Sequence, residues 1–263
     1  MSEPRSAPNP GSITHRSLRG GLPRAFDVVA AASGLLAGLP LLLAIALMIR
    51  ISSPGPILFR QTRVGRNGRP FEMLKFRTMR DQATREAAGG EPEDPAGDQR
   101  HGSTVTVGGD ARVTRVGALL RRTKLDELPE LVNVLRGEMA LVGPRPEVPE
   151  YVALSDPAWQ RVLQTRPGLT SETSLLLRAE EEVLRLGIER TGSDTDSFYR
   201  ERLLPFKLSH AADAESRRTT WRDLCTLVAT GAALFRAPVP PEVLLQRILE
   251  APQVREQETG PSE

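Results

Sequence analysis

The hydrophobic and polar positions of this chain fall into a few separable blocks. After a stretch of Pro, Ser, Gly and Arg with almost no apolar pattern (residues 1–24), a charge-free apolar run extends from Val28 to Ile49. At about 22 residues it is long enough to reach across a bilayer core if straight, and it is too long and lacks the cleavage site of a signal peptide. SSPGP, Ser52–Pro56, marks a loop. ILFRQTRVGRNGRPFEMLKFRTM then predicts two strands around an Asn67-Gly68 turn, with Lys75 and Arg77 on one face of the second strand. Residues 81–103 predict a surface loop. TVTVGGDARVTRVGALLRRT predicts a short strand, a turn at Gly108-Gly109 and a helix through Arg122. Leu128, Leu131, Val132 and Leu135 recur at helical spacing, and Gly137 can end that helix. Further on, Asp223–Phe235 predicts an apolar helix too short to span a bilayer, either buried or lying on an interface. EVLLQRILE predicts a short amphipathic helix, and a polar tail follows. Trp159 and Trp221 could sit at a membrane interface, but core packing or a surface pocket is the expected home of either.

Two features set the apolar run apart. Pro40 sits near its middle and removes a helix hydrogen bond. Basic residues flank both ends, Arg16, Arg19 and Arg24 before it and Arg50, Arg60, Arg63 and Arg66 after it. The positive-inside bias favours holding both flanks on the cytoplasmic side. Two topologies meet these facts: a spanning helix kinked at proline, and a re-entrant helix that enters and leaves by one face.

Composition narrows the chemistry. The 263 residues are 39% hydrophobic but only 4% aromatic, so a core must rest on Leu, Val and Ala. A formal charge of +2 conceals an Arg-rich first eighty residues and a more acidic remainder, which suits an N-terminal half facing something anionic. Cys225 is the single cysteine, and His15, His101 and His210 are scattered, which argues against disulfide frameworks and cysteine or histidine metal sites. No Walker or GxGxxG pattern occurs, and the basic hairpin lacks the aromatic interleaving of a nucleic-acid binder.

The chemistry concentrates in RRTKLDELPELVNVLRGEMALVGPRP, Arg121–Pro146. Thr123 and Asp126 fit a capping pattern, which would put Asp126 and Glu127 at a helix N-terminus. As a cap, Asp126 would contribute about 1 kcal/mol and need no further role. Yet Arg121 lies five residues before it, and Arg145 is presented between Pro144 and Pro146 with little freedom to lose. A carboxylate able to attack phosphorus, a second able to hold magnesium, and several cations make a phosphoryl-transfer site.

On these words the chain resembles the bacterial sugar transferases, the monotopic phosphoglycosyl transferases. The resemblance runs from about Phe26 to about Leu204, through PGPILFRQTRVGRNGRPFEMLKFRTM, DARVTRVGALLRRTKLDELPELVNVLRGEMALVGPRP and, more loosely, RPGLT. It implies transfer of a phosphosugar from a UDP-sugar to a polyprenyl phosphate such as undecaprenyl phosphate. UMP is released, at the cytoplasmic face of the bacterial inner membrane, in the initiation of exopolysaccharide, capsule, O-antigen or glycoprotein glycans. It implies Asp126 as nucleophile, Glu127 as a ligand of Mg²⁺, Arg121 and Arg145 as phosphate contacts, Lys75 with Arg77 in the same site, and a membrane helix broken at Pro40.

The expected architecture is α+β. A re-entrant membrane helix over 25–51 follows the tail at 1–24. A small, mostly helical catalytic domain spans 52–210, with a short β-hairpin and interfacial helices. C-terminal helices over 211–250 and a disordered tail over 251–263 complete it. Membrane is an expected partner, nucleic acid is not, and a homodimer is left open. The alternative is a non-catalytic, membrane-anchored basic module that binds anionic lipid or a glycan-assembly partner. Two departures from the family stand out. Leu39 precedes the proline where Ser is common, and RPGLTSETSLLLRAEEEVL replaces a Gly-rich Gln-Val-Asn-Gly-Arg word, with Arg178 as the candidate for its arginine.

Overall fold

The computed structural model describes residues 20–80, 112–233 and 235–251. The expected strand at Thr104–Val107, the turn at Gly108-Gly109, the whole loop at 81–103 and most of both tails lie outside these residues. The chain is α+β and mostly helical, as the pattern predicted.

Helix α1, Arg24–Ser52, contains the whole apolar run and continues through Pro40 as one helix, so the break expected at Pro40 is not present. It is the one helix among the described residues that is long and apolar enough to cross a membrane, with a mean hydropathy of 2.3 over its best window. Its outward side chains are large and apolar along its length, from Val29 through Leu36, Leu43 and Leu47 to Ile51. Its few buried positions touch the rest of the chain at both ends. Ala31 packs with Met73, Leu131, Val134 and Met139, and Ile45 and Ile49 pack with Phe76 and Leu120. Arginines fasten the same two places. Arg24 donates to the carbonyls of Val134 and Leu135 at 2.5 and 3.2 Å, at the exposed end of another helix. Arg77 donates to the carbonyls of Ser53 and Pro54 at 2.8 and 2.6 Å, just past the end of α1. Helix C-termini leave carbonyls without intrahelical partners, and a guanidinium satisfies two at once.

Strands β1, Leu58–Val64, and β2, Pro70–Phe76, form the predicted antiparallel hairpin. Asn67 and Gly68 take positive φ values of 56° and 74°, the left-handed backbone that an Asn-Gly pair tolerates. Helix α2, Arg115–Thr123, is capped by the Thr114 hydroxyl accepting from the Gly117 N–H at 2.9 Å. Helix α3 is shorter than the periodicity suggested, Glu130–Arg136, and ends at Gly137 with φ 83°. Strands β3, Ala140–Val142, and β4, Gly168–Thr170, pair in parallel.

The remaining helices are α4 (Pro157–Val162), α5 (Glu172–Leu176), α6 (Glu180–Thr191), α7 (Thr195–Phe198), α8 (Leu204–Ser216), α9 (Thr220–Ala233) and α10 (Pro241–Glu250). A π-helical turn, Tyr199–Leu203, joins α7 to α8. Leu244, Leu245 and Ile248 of α10 share a core with Val183 and Leu184 of α6 and with Phe198, Tyr199 and Leu203. The expected boundary at residue 210 therefore falls inside α8, and the last helix belongs to the same core as the segment before it. Trp159 is buried against Val64 and Val162, whereas Trp221 is 70% exposed.

Asn133 holds the hairpin to α3. Fully buried, it accepts from the Leu74 N–H at 3.0 Å and donates to the Glu72 carbonyl at 2.6 Å. It thereby pairs with the edge of β2, beside Lys75. Asn133→Ala leaves both backbone groups unsatisfied. It is expected to cost about 2–4 kcal/mol, the sum of two such losses, readable as a lowered midpoint in urea unfolding.

Candidate active site

The site lies where α2, the turn after it, β2 and the loop after β3 converge. Lys124 takes a left-handed φ of 58° and ends α2. The chain then makes a tight 3₁₀ turn, Leu125–Glu127, ahead of α3. Asp126 is therefore not the cap that the sequence pattern suggested. Neither the turn nor α3 has a side-chain cap bond, and the Thr123 hydroxyl instead donates back to Leu119 and Leu120 within α2. With the capping role gone, Asp126 is a buried carboxylate, 8% exposed, whose Oδ1 accepts no hydrogen bond. Burial pushes its pKa up, and the charge of Glu127 adds to this, while Lys75, Lys124 and Arg121 pull it down.

Glu127 is the junction of the site. Its Oε1 accepts from Lys75 Nζ at 2.9 Å and from an Arg145 guanidinium nitrogen at 2.9 Å. Burial works against its charge, but Arg145, Lys75 and Lys124 overwhelm that and hold it far below the usual carboxylate range. Arg145 in turn is raised by Glu127 against the opposing effect of burial. Lys75 Nζ also lies 3.3 Å from Oε1 of Glu130, whose side chain is 1% exposed. Sequence reasoning missed Glu130. Its spacing three residues after Glu127 on one helical face was the available signal.

Arg145 owes its position to a clamped loop. The Gly143 N–H donates to the Thr170 carbonyl at 3.0 Å, and the Gly168 N–H donates to the Pro144 carbonyl at 2.9 Å. A Cβ on Gly143 would meet the Arg166 carbonyl oxygen at 2.4 Å, so only glycine permits this approach. On the other side Arg63 donates to the Pro146 carbonyl at 3.1 Å. Glu147 pairs with Lys207 at 2.7 Å and with Arg63 at 3.7 Å. Arg121, at the end of α2, donates to the Thr78 hydroxyl at 3.1 Å and to Glu181 of α6 at 3.2 Å.

The structure thus brings Lys75, Arg121, Asp126, Glu127 and Arg145 together. It does not bring Arg77 there. The chain leaves strand geometry after Phe76, so the period-two rule no longer applies, and the Arg77 guanidinium is spent on Ser53 and Pro54. Arg178 likewise lies elsewhere, donating to the Arg236 carbonyl at 3.1 Å.

Among the described residues no three His, Cys, Asp or Glu side chains form a ready metal cage. Mg²⁺ needs less from a protein, usually one or two carboxylates plus substrate phosphate oxygens and water. Glu127, beside the bare buried Oδ1 of Asp126, supplies a hard oxygen donor of that kind.

The chain matches the bacterial sugar transferase family over residues 19–205, and it belongs to that family. It is 46% identical over 177 residues to a UDP-glucose:undecaprenyl-phosphate glucose-1-phosphate transferase of Caulobacter vibrioides, covering 66% of this chain and 61% of that protein. It is 40% identical over 174 residues to exopolysaccharide production protein ExoY of Rhizobium meliloti, covering 64% and 77%. It is 34% identical over 184 residues to a UDP-N-acetylgalactosamine-undecaprenyl-phosphate N-acetylgalactosaminephosphotransferase of Aeromonas hydrophila, covering 68% and 40%. The chain thus spans about six tenths of the length of the Caulobacter protein.

Glu130 generates a pH test. Burial, and next to it Glu127, push its pKa up to about 7 against the pull of Lys75. A carboxyl whose pKa is higher folded than unfolded loses stability as pH rises from the unfolded pKa to the folded one. Here that window runs from about 4.5 to about 7. Glu130→Gln cannot ionise. Its stability relative to the parent is expected to rise by roughly 3 kcal/mol between pH 4.5 and 7.5, measured by urea unfolding across that range.

Proposed function

We propose that this chain transfers a phosphosugar from a UDP-sugar to a polyprenyl phosphate at a membrane face, through a covalent intermediate on Asp126. The observation that carries the reading is the buried, hydrogen-bond-free Oδ1 of Asp126 set among Lys75, Lys124 and Arg121. A carboxylate needed only for stability would be capped or paired. This one keeps an oxygen bare in a site whose cations suit a diphosphate. The non-catalytic alternative required Asp126 to be a cap, and it is not one. The names of the relatives supply the donor and acceptor classes.

In the first step a carboxylate oxygen of Asp126 attacks the β-phosphorus of the donor. The bond from that phosphorus to the bridging oxygen breaks, and UMP departs with the oxygen. In the second step an oxygen of the lipid phosphate attacks the same phosphorus. The bond to Asp126 breaks, and a polyprenyl diphosphosugar leaves with the carboxylate regenerated. Arg145 and Arg121 hold phosphate oxygens by paired N–H donors. Lys75 keeps Glu127 and Glu130 in place while offsetting their charge. Mg²⁺, held by Glu127 beside Asp126, would neutralise negative charge on the donor diphosphate.

The places where α1 touches the domain support a membrane posture. Helix α1 packs through Ala31 and Leu35 on one side of Pro40 and through Leu42, Ile45 and Ile49 on the other. A helix returning to the same domain at both ends suits re-entrance with Pro40 at its deepest point, the flanks and catalytic site lying on the cytoplasmic side of the inner membrane. Helix α9 suits the same surface. Its inward face carries Asp223, which accepts from the Leu22 N–H, Thr230, which bonds the Thr170 hydroxyl, and buried Thr226, which donates to the Arg222 carbonyl within the helix. Its outward face shows Trp221, Leu224 and Val228, 70%, 39% and 68% exposed. This pattern is inverted for a helix facing water and right for one lying flat on lipid.

Two experiments test these readings. UMP release is assayed with undecaprenyl phosphate and a panel of UDP-sugars, alongside capture of a radiolabelled phosphosugar adduct. The parent should release UMP with at least one donor and form the adduct, and Asp126→Asn should form none; an adduct persisting in that variant removes Asp126 as nucleophile. In a Trp159→Phe background, Trp221 emission should be quenched by brominated lipids in anionic vesicles. Unquenched emission takes α9 off the membrane.

A further inference from the structure

The segment that departs from the family, RPGLTSETSLLLRAEEEVL, folds so that the first turn of α6 spans the proposed donor site. Glu180 and Glu181 open that helix and pair in different directions. Glu180 turns inward to Lys207, 2.9 Å away, in a buried network that includes Glu147 and the Tyr199 hydroxyl. Glu147 immediately follows the clamped Gly-Pro-Arg-Pro loop. Glu181 turns to Arg121, with Oε1 3.2 Å from a guanidinium nitrogen. One helical turn is therefore anchored to the elements that present both phosphate-binding arginines.

The two acids differ in environment. Lys207 is buried and saturated by Glu147, Glu180 and Tyr199, so Glu180 serves as the brace. The Glu181 side chain is 49% exposed and that of Arg121 is 21% exposed. An ion pair so open to solvent adds little to stability. The brace is already provided, so Glu181 has an oxygen and an open side to offer a ligand. A donor whose β-phosphate meets Arg121 carries its hexose on that same phosphate. Hexose hydroxyls are donors, and an ionised carboxylate is the strongest neutral-hydroxyl acceptor a protein can place there.

We propose that Glu181 is a specificity-determining residue of the donor site, accepting hydrogen bonds from hydroxyls of the sugar while Arg121 holds the adjoining phosphate. The inference rests on the phosphoglycosyl transferase reading and deepens it. It gives the departing segment a job: its first helical turn sets which sugar is admitted, without altering the nucleophile or the phosphate clamp.

The test compares UDP-glucose with UDP, which keeps the diphosphate and lacks the sugar. Titration calorimetry with Mg²⁺ uses full-length, detergent-solubilised protein carrying Asp126→Asn to prevent turnover, with and without Glu181→Gln. UDP-N-acetylgalactosamine serves as a second donor. The expected result is that Glu181→Gln weakens at least one UDP-sugar about tenfold, as for the loss of a hydrogen bond to a charged group, leaves UDP within twofold, and changes the ratio between the two donors. If UDP and both UDP-sugars shift by one common factor, Glu181 acts only on the charge of Arg121 and the proposal is overturned. No shift in any ligand overturns it as well. If the Asp126→Asn protein with Glu181 intact binds neither UDP nor UDP-sugar, and the parent releases no UMP, the transferase reading itself fails and takes this inference with it. A common shift with binding and turnover intact sinks the inference alone. Unfolding midpoints of the two proteins should agree, because the exposed pair carries little stability.

Discussion

The structure is organised around one carboxylate oxygen. Glu127 Oε1 takes Lys75 from the hairpin and Arg145 from the loop after β3, each at 2.9 Å. Three segments far apart in sequence are fixed by that single acceptor. Buried ion pairs are costly to assemble, since desolvating the charges consumes most of what their attraction returns. A junction like this is poor evidence for stability, and it makes sense as a means of holding cations at set positions. Asp126 gains from it indirectly. Its neighbours bind each other, so its own Oδ1 is left bare.

The supports are of two kinds. Backbone geometry holds the Arg145 loop, through the close approach of Gly143 to the Arg166 carbonyl and the parallel pairing of β3 with β4. Buried charge holds it from the other side, through Arg63, Glu147 and Lys207. Burial opposes the charge on Glu147, yet Lys207 and Arg63 keep its pKa low, and the anchor therefore stays ionised at neutral pH. The hairpin and α3 are joined by Asn133, a neutral side chain that substitutes for a missing strand at the edge of β2.

The apolar helix is built into this assembly. Arg24 caps α3 from the start of α1, and Arg77 donates to the carbonyls just past the end of α1. The helix with the long exposed apolar face and the helix that follows Asp126 thus share fastenings. Helix α9 adds to the arrangement, since the Leu22 N–H and the Thr220 hydroxyl tie its first turn to the chain just ahead of α1. Movement of α1 relative to the domain would disturb the end of α3, and so the site.

The sequence by itself determined the local elements and the chemical cast. The charge-free run of α1, the Asn-Gly hairpin, Gly137 as a helix stop, and the combination of Asp126, Glu127, Lys75, Arg121 and Arg145 all follow from spacing, turn chemistry and family resemblance. Only the tertiary structure decided their partners. The left-handed Lys124 turned a predicted cap into an unpaired carboxylate, and the end of strand geometry at Phe76 sent Arg77 to the carbonyls after α1. Glu130 joined the site, and Glu181 was brought to Arg121 across sixty residues. Local propensity acts within a turn or a strand and is written in adjacent residues. The partner of a charged side chain is set by which segments meet in space, and that depends on packing of the whole core.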